Sequence, residues 1–231
     1  MNDRYIRVLT IYYDTEISDK EIPFFRGAVL KSLGEKADLL FHNHVGEDKF
    51  RYAYPCIQYK RLGSKAAIVC VEEGVDVIGQ FLAEFDGTLI LGNREVRCES
   101  QRLFPTRVLM QTWKQSFHYH LYRWLPLNSK NYQAYRMTDD ENERMRLLER
   151  VLAGNLLSML KSLNIYLEDE LLVRITKVGE PYITYNKGIA LMTFNVDFAS
   201  NLSIPNNVGV GKNASIGYGV IHQIKERKES I

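Results

Sequence analysis

Cysteine is scarce. Cys56, Cys70 and Cys98 are the three in 231 residues, and they are too widely spaced for a disulfide framework or a zinc knuckle. The expectation is reduced, buried thiols in a cytoplasmic protein. Long apolar runs are missing as well, and Asn2, Asp3 and Arg4 leave no signal-peptide core at the amino terminus, so the sequence predicts an intracellular chain that spans no membrane. Nor does one sign of charge prevail: 30 Lys plus Arg against 28 Asp plus Glu give a formal charge of +2. Whole-chain basicity therefore announces no nucleic acid, although an acidic helix elsewhere can cancel a local basic groove in the total. No low-complexity linker divides the chain.

What is present is the composition of a folded protein, with 45% hydrophobic and 25% charged residues. Such a length holds one large domain or two of about a hundred residues each. Tyr5 to Tyr13 reads as a first strand, and a helix follows Pro23, with Phe24, Phe25, Ala28, Val29, Leu30 and Leu33 at helical spacing. Residues 41–49 read as a loop. Phe50 to Tyr59 and Ala66 to Val71 read as strands joined through Lys60-Arg61-Leu62-Gly63-Ser64-Lys65, Val75 to Phe85 as a second helix, and Thr88 to Val96 as a further strand with a turn signal at Gly92-Asn93. Strand-helix-strand-strand-helix-strand is the ferredoxin-like order.

The pattern then restarts. Phe104 to Met110 suits a strand, Phe117 to Leu125 is ambiguous, and Pro126 to Lys130 is turn-rich. Thr138 and Glu141 are spaced as a capping box for a long helix near 139–163, striped by Met145, Leu148, Val151, Leu152, Leu156, Met159, Leu160 and Leu163. Strands are expected over Leu171 to Val178, Tyr182 to Tyr185, Ile189 to Phe198 and Tyr218 to Ile224. The fold expected is α+β: two tandem ferredoxin-like domains, 1–99 and 100–231, the second less regular and ending in a glycine-rich loop.

That loop, residues 206–219, carries Gly209, Gly211, Gly217 and Gly219 within eleven positions. Such density suits tight turns or close approach of a ligand to backbone amides, and Asn207, Lys212, Asn213 and Ser215 add groups able to hold a phosphate. A dinucleotide fingerprint fits poorly for want of a third glycine, and a mononucleotide loop for want of Gly-Lys-Ser or Gly-Lys-Thr, so a nucleotide-binding regulatory protein is a poor match.

His42 and His44 are one residue apart. As metal ligands they lack a completing carboxylate or cysteine, and as structural residues they need only hydrogen bonds. A third role is proton transfer in RNA cleavage, where a ribose 2′-OH attacks the neighbouring phosphate. Imidazoles can take and give the protons while a lysine, here Lys49, balances charge on phosphorus. Arg51 and Tyr52 follow as a phosphate fork and a stacking or hydroxyl contact, and Lys60, Arg61 and Lys65 as further phosphate contacts. His118 and His120 repeat the spacing, as a secondary catalytic candidate, beside Trp113, Tyr119, Tyr122 and Trp124, which either stack a base or close a core.

Phe25-Arg26-Gly27, His42-Asn43-His44, Tyr54-Pro55-Cys56-Ile57-Gln58-Tyr59-Lys60 and the terminal glycine loop, taken in that order, resemble the CRISPR-associated repeat-processing endoribonucleases of the repeat-associated RNA-binding superfamily. The resemblance covers nearly the whole chain. It implies two ferredoxin-like domains and metal-independent, cofactor-free cleavage of CRISPR precursor RNA within its repeats, leaving 5′-hydroxyl and 2′,3′-cyclic phosphate ends. It places His42 or His44 in the catalytic histidine region, Lys49 as the supporting lysine, and the four glycines in the RNA-contacting loop. The implied partners are CRISPR repeat RNA, a CRISPR effector complex and a second copy of the chain. A structural RNA-binding subunit without catalysis is the alternative.

Overall fold

Alternation of apolar and polar residues makes Tyr5–Glu16 a strand (β1), with Ile11 and Tyr13 buried against helices and Ile6, Val8 and Thr10 buried on the other side. The computed structural model describes residues 5–33, the backbone of residues 44–45 and 49–50, and residues 54–224. Helix α1 (Ile22–Leu33) follows, then the two-residue strands β2 (His44–Val45) and β3 (Lys49–Phe50). Next come β4 (Ile57–Leu62), β5 (Lys65–Val71), α2 (Glu73–Glu84), the hairpin of β6 (Thr88–Leu91) with β7 (Arg94–Arg97), and β8 (Ser100–Leu109).

The chain divides into two units, and the first comprises Tyr5–Val108 together with Ala214–Gly217. Its sheet runs β4-β5-β1-β8, with β5 antiparallel to both neighbours β4 and β1. Strand β1, helix α1, strands β4 and β5, helix α2 and strand β8 follow one another in the ferredoxin-like order. The strand completing that order is Ser100–Leu109. Thr88 to Val96, expected in that place, turns at Gly92-Asn93 as its letters indicated and forms the separate β6-β7 ribbon. Phe25 sits edge-on between Tyr13 and Tyr59, with ring centroids 5.8 Å away in each case, at the centre of a core that includes Val29, Ile57, Ile68, Cys70, Ile78 and Phe81.

The second unit holds Leu109–Asn213 and the chain from Tyr218. The ambiguous aromatic run is a strand, β9 (Thr112–Trp124), followed by helices α3 (Ser129–Met137) and α4 (Glu141–Ser162) and strands β10 (Val173–Val178), β11 (Tyr182–Asn186), β12 (Ile189–Leu202) and β13 (Val220–Gln223). The order is β10-β12-β9-β13, with β11 paired along the first half of β12. This is the ferredoxin-like arrangement again, except that residues 203–219, the glycine-rich segment, connect β12 to β13 where a second helix would stand.

Helix α4 buries Leu148, Leu152, Leu156, Met159 and Leu160 of the expected stripe together with Leu147, while Met145 and Val151 are half-buried. Its start differs from expectation. Asp140 is the N-cap, its carboxylate accepting from the Asn142 amide at 2.8 Å, while Thr138 closes α3 by donating its amide and hydroxyl to the Ala134 carbonyl. Thr138 was claimed by the preceding helix, which the turn-rich reading of Pro126 to Lys130 had hidden. Among the described residues no helix is long and apolar enough to cross a membrane.

Candidate RNA-processing site

Of the early histidine segment expected as a loop, residues 41–43 and 46–48 lie outside the described residues, while β2 and β3 pair antiparallel, His44 opposite Phe50 and Val45 opposite Lys49. His44 and Lys49 thus belong to adjacent rungs. His42, Arg51 and Tyr52 lie outside the described residues.

The basic segment after it is resolved differently from its letters. Strand β4 runs on to Leu62 and turns at Gly63, so Lys60 and Arg61 are strand residues and not parts of the connecting turn. Lys60 is 0% exposed, and its ammonium donates to the Ala214 carbonyl at 3.4 Å. Burial pushes its pKa down to about 7, because removing an ammonium from water disfavours the charged form. A solvent-facing phosphate contact is therefore not what Lys60 makes here. Arg61 donates through Nε to the Ile17 carbonyl at 2.8 Å and lies 3.9 Å from Asp19. Lys65, half-buried, starts β5 opposite Leu62.

In the glycine-rich segment, Ala214–Gly217 lies along the free edge of β4. The Tyr59 amide donates to the Ser215 carbonyl at 2.8 Å and Tyr59 pairs with Ile216 as a parallel bridge. Residues 203–213 and 218–219 fold instead in the second unit. There the Asn207 amide donates to the Ile221 carbonyl, the Val210 amide to the Gly219 carbonyl, and the Gly219 amide to the Arg123 carbonyl, at 2.8, 2.8 and 3.1 Å. Gly209 bridges Val220. Gly219 has φ +63°, and a Cβ there would stand 1.9 Å from the Val210 carbonyl oxygen; at Gly211 one would stand 2.6 Å from Asn155 Oδ1. These two glycines admit close approach of the protein's own atoms. Gly209, Gly217 and Gly219 are buried, Asn207, Gly211, Asn213 and Ser215 half-buried, and Lys212 exposed.

The sequence did not connect His120 with Asp197 or His222. All three share one row across the second sheet, β12 to β9 to β13, with His120 Nδ1 in contact with Asp197 Oδ1. The Tyr122 ring lies 3.8 Å from that of His120 and 5.4 Å from that of His222, while Arg123 covers the Tyr218 ring at 4.4 Å. Only strand register brings these residues together, and no local motif encodes it. Trp124 and Tyr119 are core residues, Trp124 donating to Asn155 Oδ1 at 3.0 Å and Tyr119 to the Leu202 carbonyl at 2.8 Å. Among the described residues no group of three or more His, Cys, Asp or Glu is placed to hold a metal ion.

Residues 4–108 match the family model of the Cas6b N-terminal domain, and residues 111–224 that of the Cas6b C-terminal domain. The chain belongs to the Cas6b family. Cas6b membership makes it a CRISPR repeat-processing endoribonuclease that binds CRISPR repeat RNA, with the double ferredoxin-like fold traced above. A crystal structure of Cas6b is 27% identical with a TM-score of 0.87, over 95% of this chain and 100% of that one. A structure described as a CRISPR RNA processing endoribonuclease Cas6b, 24% identical over 95% of this chain and 100% of that one, has the same fold with a TM-score of 0.74. An uncharacterized protein of Methanocaldococcus jannaschii is 35% identical over 103 residues, 45% of this chain and 69% of that protein.

Proposed function

We propose that cleavage of the CRISPR repeat is carried out by the His42 to Lys49 segment. His42 or His44 removes the proton from the ribose 2′-OH or supplies one to the departing 5′-oxygen, and Lys49 balances the charge that builds on phosphorus. The reaction is an internal transfer: the 2′-oxygen forms a bond to phosphorus as the bond to the 5′-oxygen breaks. It leaves a 2′,3′-cyclic phosphate and a 5′-hydroxyl and requires no external water. The observation that carries this assignment is the β2-β3 register, which holds His44 and Lys49 on neighbouring rungs of one ribbon.

Arg51 and Tyr52 follow directly on the ribbon and would extend the RNA contact, with Arg61, Lys65 and Lys212 as backbone contacts whose contribution falls with salt. Asn207, Gly209, Gly211, Asn213, Ser215, Gly217 and Gly219 would shape the glycine segment that the RNA meets. The protein acts in the cytoplasm. Exposed Ile183, Tyr185 and Ile189, at 51%, 72% and 64%, support a protein partner there, a second copy or a CRISPR effector complex.

The test is incubation with the cognate repeat RNA in chelator, followed by analysis of fragment ends. Cyclic-phosphate and 5′-hydroxyl ends are expected, and the double change His42→Ala with His44→Ala should suppress cleavage far more than RNA binding. Wild-type turnover by that folded double variant would remove both histidines from the mechanism.

A further inference from the structure

The second sheet has two unlike faces. Tyr119 and Leu121 of β9 and Phe194, Val196 and Phe198 of β12 are buried, whereas His118, His120 and Tyr122, on the alternate positions of β9, point the other way, with Tyr122 43% exposed. The register extends this second face across four strands. Lys177, Asp197, His120 and His222 form one row, and Arg174, Ala199 and His118 form the next. His118, Arg174 and Lys177 are exposed. Three imidazoles, a tyrosine ring and two cations thus share one surface. In these rows the single carboxylate, Asp197, is in contact with His120 and fixes the orientation of that ring.

We propose that this face is a platform for a single-stranded stretch of RNA, its bases stacking on Tyr122 and the imidazoles and its phosphates meeting Arg174 and Lys177. The proposal rests on the RNA-processing reading for the class of ligand, and goes beyond it by placing a second contact surface away from the His42 to Lys49 segment in sequence. Strands about 4.8 Å apart with same-face residues about 7 Å apart present the rings on a rigid lattice, and stacking needs only the π-face that every base offers. Cations at the β10 end complement a polyphosphate. A protein interface would instead centre on apolar side chains with charge at its rim.

The probe is a fluorescein-labelled 12-nucleotide oligouridine, bound to the full chain and followed by anisotropy across a salt series. Tyr122→Ala is expected to weaken binding about tenfold while Tyr122→Phe retains it. Arg174→Ala with Lys177→Ala should flatten the slope of log affinity against log salt by about 1.4, since each single-strand phosphate contact contributes about 0.7. On the wild-type chain, ultraviolet crosslinking to 4-thiouridine-substituted oligouridine should place adducts on Tyr122, His118 or His222, which decides the matter if a variant fails to fold.

Unchanged affinity and salt slope in the folded variants, or adducts exclusively elsewhere, would overturn the platform. So would a change in self-association of these variants by sedimentation with RNA affinity unaltered, which would assign the face to a protein. Cleavage of repeat RNA by the same wild-type preparation is scored alongside. A chain that fails to cleave refutes the catalytic reading, and one that cleaves but whose oligouridine affinity ignores these substitutions refutes the platform alone.

Discussion

Replacing Gly219 by alanine tests whether the glycine-rich segment is held by contact with its own backbone. The added Cβ would stand 1.9 Å from the Val210 carbonyl oxygen, 3.0 Å from its carbon and 3.2 Å from its nitrogen. The oxygen contact falls about 1 Å short of the tightest approach that packed atoms tolerate, and it involves backbone, which cannot rotate away. The residue also sits at φ +63°, where a side chain costs about 1–2 kcal/mol.

Relieving the clash would separate Val210 from Gly219 and loosen the 2.8 Å bond between the Val210 amide and the Gly219 carbonyl. With overpacking at about 1–3 kcal/mol, the total loss is about 2–5 kcal/mol. At roughly 2–4 °C per kcal/mol for a chain of this size, the melting temperature should fall by about 4–20 °C. Gly154→Ala, in α4 with nothing within 4 Å of the added carbon, is the control and should stabilise by about 0.5–1 kcal/mol. Thermal unfolding by circular dichroism measures both. A Gly219→Ala protein melting within about 2 °C of wild type would show that the approach to Val210 does not constrain the segment.

Lys60→Met should change the pH dependence of stability. The folded pKa of about 7 lies below the unfolded value of 10.5, so between the two the unfolded chain binds the extra proton and stability rises with pH, by up to about 1.4 kcal/mol per unit. Below pH 7 the full penalty of the buried charge is present. The variant should therefore melt higher than wild type at pH 6 and lose the rise toward pH 9, and parallel melting curves for the two proteins would contradict the buried ammonium.

Tyr119→Phe removes a buried hydroxyl that donates to the Leu202 carbonyl at 2.8 Å and accepts from the Ile204 amide at 2.9 Å, and should cost about 1–3 kcal/mol in urea unfolding without loss of the fold. Asn155→Leu should cost a similar amount, because it leaves the buried Trp124 indole N–H, now 3.0 Å from Asn155 Oδ1, without that acceptor. An unchanged urea midpoint in either case would mean that the lost partner had been replaced.

Local pattern alone determined α4, because its leucines recur at the helical period and helix geometry is set by neighbours in the chain. It determined β1, α1, β5 and α2 for the same reason, though not the strand that completes the ferredoxin-like order, Ser100–Leu109, and the ordered motifs pointed to the repeat-processing family. Tertiary structure decided what neighbours cannot report. Lys60 is one of three basic letters in a row of six residues, yet only the pairing of β4 with β5 and with Ala214–Gly217 takes it out of water. His120 meets Asp197 and His222 because strands far apart in sequence come into register. The approach of the Val210 carbonyl to Gly219 is likewise visible only in the assembled fold. Secondary structure is a short-range property written in periodicity, whereas burial of a charge and convergence of side chains are long-range properties that exist only once the sheets are assembled.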